Sequence, residues 1–263
     1  MTPPDRAGQE SVLGAERLAN VVHGHGDDVY VGLHGWNGSH QTFEPLADRV
    51  PTTARLISLD LPGYGQSTGP TRWNLEAIAD QIVSTLDEEI GPHTPVSLVG
   101  SCSGGVVALF VARLLGARTQ RFIFVEPFAF VPGYLRIFLK PAVGRLFYYS
   151  AFGNPIGRFI TNAALAGHRG DDTDMTASFA RGSLEVPLEY LHLFDGIDRA
   201  ESFADLPGQI ELVHGEHTFD AIRESVDIWS EVWPEAVVEQ IEGAGHLLLT
   251  EAPERVAEWV FRG

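Results

Sequence analysis

Short apolar runs alternate with longer amphipathic stretches along most of this 263-residue chain. The runs are Val29-Tyr30-Val31-Gly32-Leu33, Arg55-Leu56-Ile57-Ser58-Leu59, Val96-Ser97-Leu98-Val99, Phe122-Ile123-Phe124-Val125 and Ile210-Glu211-Leu212-Val213. Their length and β-branched content suit strands covered on both faces, and Val237–Ile241 reads as a further strand. Between them a helical period runs over Leu75–Ile90, Gly105–Leu115, Ala221–Val232 and Pro253–Phe261. This alternation predicts an α/β fold, with a mostly parallel central sheet, helices on both faces and right-handed crossovers. In such sheets function gathers at the carboxyl ends of the strands.

The alternation stops at Pro127 and resumes near Leu206. The intervening segment spreads aromatics, among them Phe128, Tyr134, Phe138, Tyr148 and Phe152, at helix-like spacing broken by Gly and Pro. It predicts a helical cap over residues 127–205, inserted between a first core part (1–126) and a second (206–263). Most of its aromatics are expected to pack the cap onto the core, and a minority to line an apolar pocket. Residues 1–10 are polar and read as loose.

One turn carries most of the chemistry. Gly100-Ser101-Cys102-Ser103-Gly104 follows the run Val96–Val99 and precedes a helical pattern. It reads as a strand–turn–helix elbow that presents its middle residue, written G-x-S-x-G, with cysteine in place of serine. Glycine is needed two positions before and two after, where a Cβ would strike the neighbouring strand and helix. Centring on Cys102 puts Gly100 and Gly104 there, whereas centring on Ser101 or Ser103 puts Val99 or Ser101 where glycine belongs. Cys102 is therefore the nucleophile candidate, although a lone cysteine is ordinarily an inert core residue. A phosphate cradle is the other reading of such a turn, but neither G-x-x-x-x-G-K-[ST] nor G-x-G-x-x-G is present.

Composition narrows the setting. Cys102 is the sole cysteine, so no intrachain disulfide forms, which fits a reducing, cytoplasmic compartment. The amino terminus has no apolar run behind its positive charge and does not read as a signal peptide. No apolar stretch is long enough to span a membrane. A formal net charge of −17 argues against nucleic acid or an anionic membrane as partner. His23, His25, His168 and His217 lack metal-ligand spacing, and no cofactor is implied.

A thiol nucleophile requires a base, an orienting acid and oxyanion donors. The base candidate is His246, in Gly243-Ala244-Gly245-His246, after the last strand and before the last helix. A loop there can lay an imidazole across the strand ends onto the elbow. A surface histidine is the default reading for any one of ten. The small residues before His246 and the Glu251-Ala252-Pro253-Glu254 helix start after it set it apart.

Two further motifs complete a familiar order. Leu33-His34-Gly35-Trp36 follows an early strand, and Asp60-Leu61-Pro62-Gly63-Tyr64-Gly65-Gln66-Ser67 forms a D-x-P-G-x-G-x-S turn. With the elbow and the Gly-His loop, they make the chain resemble a capped α/β-hydrolase-fold protein over nearly its whole length. The resemblance implies an oxyanion hole from the backbone N–H groups of Trp36 and Ser103, with His34 a structural loop residue. It leaves the acid open. In much of the family the acid lies in a G-x-x-D loop, but here Gly215-Glu216-His217-Thr218 carries threonine, with Asp220 two residues late. In some relatives the acid ends the preceding strand, where this chain has Glu126. Glu126 is the preferred acid and Asp220 the alternative; their bland readings are a rim carboxylate and a helix N-cap.

A thiol ionises far more readily than a hydroxyl, so the attacking species can be present before substrate arrives. Cysteine elbows are similar to those of dienelactone hydrolases, some biosynthetic thioesterases and polyhydroxyalkanoate synthases. Haloalkane dehalogenase and epoxide hydrolase chemistry is not expected, because it uses aspartate at the elbow. The expectation is a hydrolase of a small-molecule ester, thioester or lactone with an apolar acyl part. Acyl transfer, including lactone formation by a thioesterase, and a non-catalytic binding protein of the same fold are the alternatives.

Overall fold

Alternate residues of the central runs point to opposite faces of one sheet, and each face is buried by a different set of helices. The computed structural model describes residues 17–197 and 199–262; the loose start expected at residues 1–10 lies outside them. In chain order the strands are β1 (Asn20–Gly24), β2 (Asp28–Leu33), β3 (Ala54–Leu59), β4 (Val96–Ser101), β5 (Thr119–Val125), β6 (Gln209–Gly215) and β7 (Val237–Ile241). They lie in the order β1-β3-β2-β4-β5-β6-β7. Only β1 runs antiparallel, pairing with β3 through Asn20↔Leu59 to Gly24↔Arg55. β1 is the strand the periodicity does not show, because Val21 and Val22 are the whole of its apolar content.

Helices α1 (Leu75–Ile90) and α2 (Ser103–Leu115) follow β3 and β4. Between β5 and β6 come α3 (Gly133–Arg136), α4 (Gly144–Phe152), α5 (Pro155–Ala164) and α6 (Glu185–Asp195). The chain then adds α7 (Asp220–Val232), α8 (Leu248–Glu251) and α9 (Pro253–Val260). Leu33, Leu98, Phe122, Phe124 and Leu212 pack against α1, α2 and α7 on one face. Tyr30, Val99, Ile123, Val125 and Val213 face the other way, onto Phe43, Leu46 and the residues of α8 and α9. Phe43 and Leu46 belong to a 3-10 segment, His40–Arg49, with Pro45 inside it; proline removes a helix-interior donor, which hides the segment from a search for 3.6 periodicity. Burial on both faces is why the central strands read as continuous apolar runs rather than alternating ones.

The inserted helical segment rests on loops that leave the carboxyl ends of the strands. Trp36 Nε1 after β2 donates to Pro187 O at 2.6 Å, and Tyr190 Oη donates to Pro62 O after β3 at 3.1 Å. His246 N after β7 donates to His168 O at 2.8 Å. Its inner aromatics, Tyr148, Phe152 and Phe179, form a cluster with Leu188 against the Trp36 ring. Among the described residues no helix is long and apolar enough to cross a membrane.

Candidate active site

The elbow is built by close approach of backbone to backbone. Cys102 sits between β4 and α2 at φ 49°, ψ −125°, a region that side chains with a Cβ rarely enter. Its N–H donates to Val125 O at 2.8 Å, and its carbonyl accepts from Gly105 N at 3.0 Å. A Cβ on Gly100 would overlap the backbone of Gly105, and one on Gly104 would overlap the carbonyl groups of Leu33 and His34. Gly105, which the motif does not specify, is as constrained: its Cβ would run into the ring of Phe124. Cys102 is half-buried, at the head of α2.

His246 arrives from the loop after β7 and lies close enough to Cys102 for the sulfur to raise the pKa of the ring. Its Nδ1–H donates to Glu126 Oε2 at 2.7 Å. Glu126 lies one residue past β5, buried, and at a positive φ of 56°. Its carboxylate is fully occupied. Oε1 accepts from Gly215 N at 2.7 Å, while Oε2 takes the Thr218 hydroxyl as well as the imidazole. Thr218 thus stands where the G-x-x-D pattern places an acid, and its Oγ1 also lies 3.4 Å from His246 Nδ1. A hydroxyl at that position supports a carboxylate delivered from the neighbouring strand. Sequence reading notes the threonine without seeing its use, since its partner lies 92 residues away.

The other acid candidate stands apart. Asp220 is the first residue of α7, Phe219 rather than Asp220 is the N-cap, and the Asp220 side chain is 94 % exposed in an ion pair with Arg223. Asp220 therefore does not cap α7, which is the bland reading of its position, and the structure brings Glu126, the preferred acid, rather than Asp220, the alternative, to His246.

The ring of His246 is held charged by its neighbours. Burial by itself would push it down, but hydrogen bonds to Cys102 and Glu126, and the negative charge of both, outweigh burial and hold it up at about 10. His34 shows the opposite balance: it is fully buried without a charged hydrogen-bond partner, and burial pushes it down to about 4. Its neutral ring donates from Nδ1 to Gly35 O at 2.8 Å and accepts at Nε2 from Leu61 N at 3.0 Å. It joins the loop after β2 to the turn after β3, the position of a structural residue. Asp60, where that turn begins, is pushed up by burial, but a hydrogen bond from the His40 ring at 2.9 Å, joined by bonds from His40 N at 2.7 Å and Gln66 N at 2.9 Å, outweighs burial and holds it below the ordinary range.

Of the two oxyanion candidates, Ser103 follows Cys102 in the chain and Trp36 follows Gly35. Gly35 approaches so near that a Cβ there would lie 3.1 Å from the Cys102 Cβ, which sets Trp36 beside the elbow. The turn after β2 is closed by Gly38 N to Gly35 O at 2.9 Å and leaves Trp36 N–H outside it. Ser103 N–H is the first of α2, where no intrahelical acceptor exists.

One cavity, of about 1210 Å³, opens between residues 37–42 and 60–66 of the core and residues 155–186 of the insert. Cys102 and His246 are not among its walls. Aromatic rings do surround the site itself: Phe219 packs on His246 at 5.0 Å between ring centres, and on His168 and Tyr134 at 4.3 and 6.3 Å. Among the described residues no cluster of His, Cys, Asp and Glu is placed to hold a metal.

Residues 22–259 match the alpha/beta hydrolase family, and the chain belongs to it. A pimeloyl-[acyl-carrier protein] methyl ester esterase of Klebsiella pneumoniae is 26 % identical over 89 % of this chain and 93 % of its own length. One of the same name from Neisseria meningitidis is 34 % identical over 32 % of this chain, which spans only 25 % of that relative's length. In three dimensions the enol-lactonase from Burkholderia xenovorans superposes with a TM-score of 0.74 at 15 % identity, covering 92 % of this chain and 94 % of that one. That likeness is one of fold.

Proposed function

We propose that this protein is an acyl hydrolase, acting on an ester, thioester or lactone with an apolar acyl part through an acyl-cysteine on Cys102. One observation supports the reading above the rest: a thiol at a strained elbow stands beside an imidazole that is hydrogen-bonded to a buried carboxylate, each residue coming from a different strand end. The similar pimeloyl esterases are named for an ester substrate, which supports the same bond class here.

In this reading the proton of the Cys102–His246 pair rests on the imidazole. The thiolate attacks the carbonyl carbon, and the displaced electron pair settles on oxygen, where Trp36 N–H and Ser103 N–H receive it. Collapse breaks the bond to the leaving oxygen or sulfur, which takes the proton from His246 Nε2. The acyl-sulfur that results is neutral, so the contribution of Cys102 to the raised His246 pKa disappears. The ring is then free to take a proton from water, whose oxygen attacks the thioester. Collapse of the second intermediate returns the thiolate, the protonated ring and the free acid. Glu126 keeps Nδ1–H as donor and so fixes Nε2 as the working nitrogen.

The helical segment between residues 127 and 205 serves as the cap over this chemistry. A free thiol as nucleophile suits the reducing cytoplasm. An alcohol or amine in place of water at the second step would make the same site an acyl transferase, and product analysis with candidate acceptors separates the two. Intact-protein mass spectrometry after addition of p-nitrophenyl butyrate is expected to show an acyl adduct on Cys102 that Cys102→Ala lacks. Neither adduct nor turnover in the unaltered protein would refute the reading and leave a binding protein.

A further inference from the structure

Thr218 is fully buried, and the backbone around it is held from three sides. Its N–H turns back to Gly215 O at 3.4 Å, and its carbonyl accepts from Arg223 Nη1 at 2.8 Å. Beside it, His217 N donates to Ala244 O at 2.9 Å, in the loop that carries His246. The side chain is thereby aimed at Glu126. A carboxylate only accepts, so Oγ1 gives its proton to Oε2, the same oxygen that receives His246 Nδ1–H at 2.7 Å. Gly215 N–H holds Oε1 at 2.7 Å. The loop after β6 therefore fixes both oxygens of a side chain that belongs to the end of β5.

What that hold does depends on the charge of the ring, and the inference rests on the acyl-cysteine chemistry proposed above. A charged imidazole carries a proton on each nitrogen, so no tautomer has to be chosen before the leaving group takes the proton from Nε2. The acyl-enzyme is different. Its ring is neutral and keeps one proton, on Nδ1, and Nε2 must stay bare until water arrives. A proton that moves to Nε2 removes the base. The attraction between an imidazolium and a carboxylate is gone as well, so the orientation of Oε2 alone keeps the proton at Nδ1. We propose that Thr218 is a positioning residue for the second half of the reaction. By holding Oε2 of Glu126 opposite Nδ1, it leaves Nε2 free to take a proton from water. The water oxygen bonds to the acyl carbon, and on collapse the carbon–sulfur bond breaks with its electron pair returning to Cys102.

Thr218→Val keeps the shape of the side chain and removes the hydroxyl, and p-nitrophenyl butyrate separates the two halves of the reaction. The first release of p-nitrophenolate in stopped flow reports acylation; loss of the butyryl adduct from Cys102, followed by intact-protein mass spectrometry after excess ester is removed, reports deacylation. Acylation of the variant should stay within about twofold, so that kcat and KM fall together while kcat/KM holds. The adduct should clear about 10–100-fold more slowly, the factor that one hydrogen bond to a charged group commands. Thr218→Ser restores the hydroxyl and should recover most of the loss. Thr218→Ala should show the same split as Thr218→Val, so a folding defect peculiar to valine does not decide the matter. Equal slowing of both steps would reduce Thr218 to a packing residue, and unchanged clearance would show its hydroxyl to be idle; either result overturns the inference and leaves the acyl-cysteine standing. An unaltered protein that forms no adduct would overturn both.

Discussion

The sheet core and the outer half of the inserted helices spend similar apolar residues in opposite ways. In the core Leu98, Val99, Phe122, Ile123, Phe124 and Leu212 are fully buried, and each is held between a strand and a helix. In α5 a stripe as regular as any in the chain touches water. The inner half of the insert resembles the core, since Tyr148 and Phe152 seat it on Trp36. The difference teaches where the chain is obliged to be as it is. Residues shared between several elements fix the site, while the α5 stripe leaves its large apolar side chains exposed.

Substitutions rank this contrast. Cys102→Ala is expected to remove turnover almost entirely, by about 10⁴-fold or more, measured as p-nitrophenyl ester hydrolysis. A variant with more than a tenth of the activity would place the chemistry elsewhere. Glu126→Gln should lower kcat by about 10²–10⁴-fold, because the imidazole loses the acceptor that fixes its tautomer. Asp220→Asn, altering an exposed carboxylate, should stay within about twofold; equal losses in the two variants would contradict the geometry.

Within the core, Gly100→Ala should destabilise by about 3 kcal/mol, a fall of roughly 6–12 °C in Tm by calorimetry, since its methyl group meets backbone that cannot move aside. An unchanged Tm would show that the elbow is not packed as described. The pH profile gives a smaller, graded effect. His246 is held at about 10, so its proton is present below that pH and lost above it. For an alkyl ester, whose leaving oxygen needs that proton, kcat/KM should fall about tenfold per pH unit above 10. A p-nitrophenyl ester, which leaves without it, should show no such fall. Smallest of all, Ile156→Ser with Ile160→Ser should change stability by less than about 0.5 kcal/mol in urea unfolding. A larger loss would mean that α5 is part of the folded core.

Much of this was readable before any coordinates. The helix Leu75–Ile90 occurs with those bounds, and the central strands occur with one to three residues added at their ends. The elbow register followed from two glycines, because a steric demand on Gly100 and Gly104 is local and writes itself into five consecutive residues. The antiparallel edge strand β1 was not readable: an edge strand needs few apolar residues, and its pairing with β3 supplies the rest. Nor was the demand on Gly105, whose reason is the ring of Phe124 on the next strand.

The acid shows the boundary best. Sequence alone determined the fold family, and it named the sulfur, the imidazole and two carboxylates as candidates, since each depends on neighbours in the chain or on a motif's spacing. Only the tertiary structure joins Glu126 to His246, because that contact depends on Thr218 and Gly215 N–H brought from a different strand. Only the tertiary structure, too, turned the α5 stripe outward. Helical periodicity states that a face is apolar; which side of the molecule it meets is settled by what the rest of the chain has already covered.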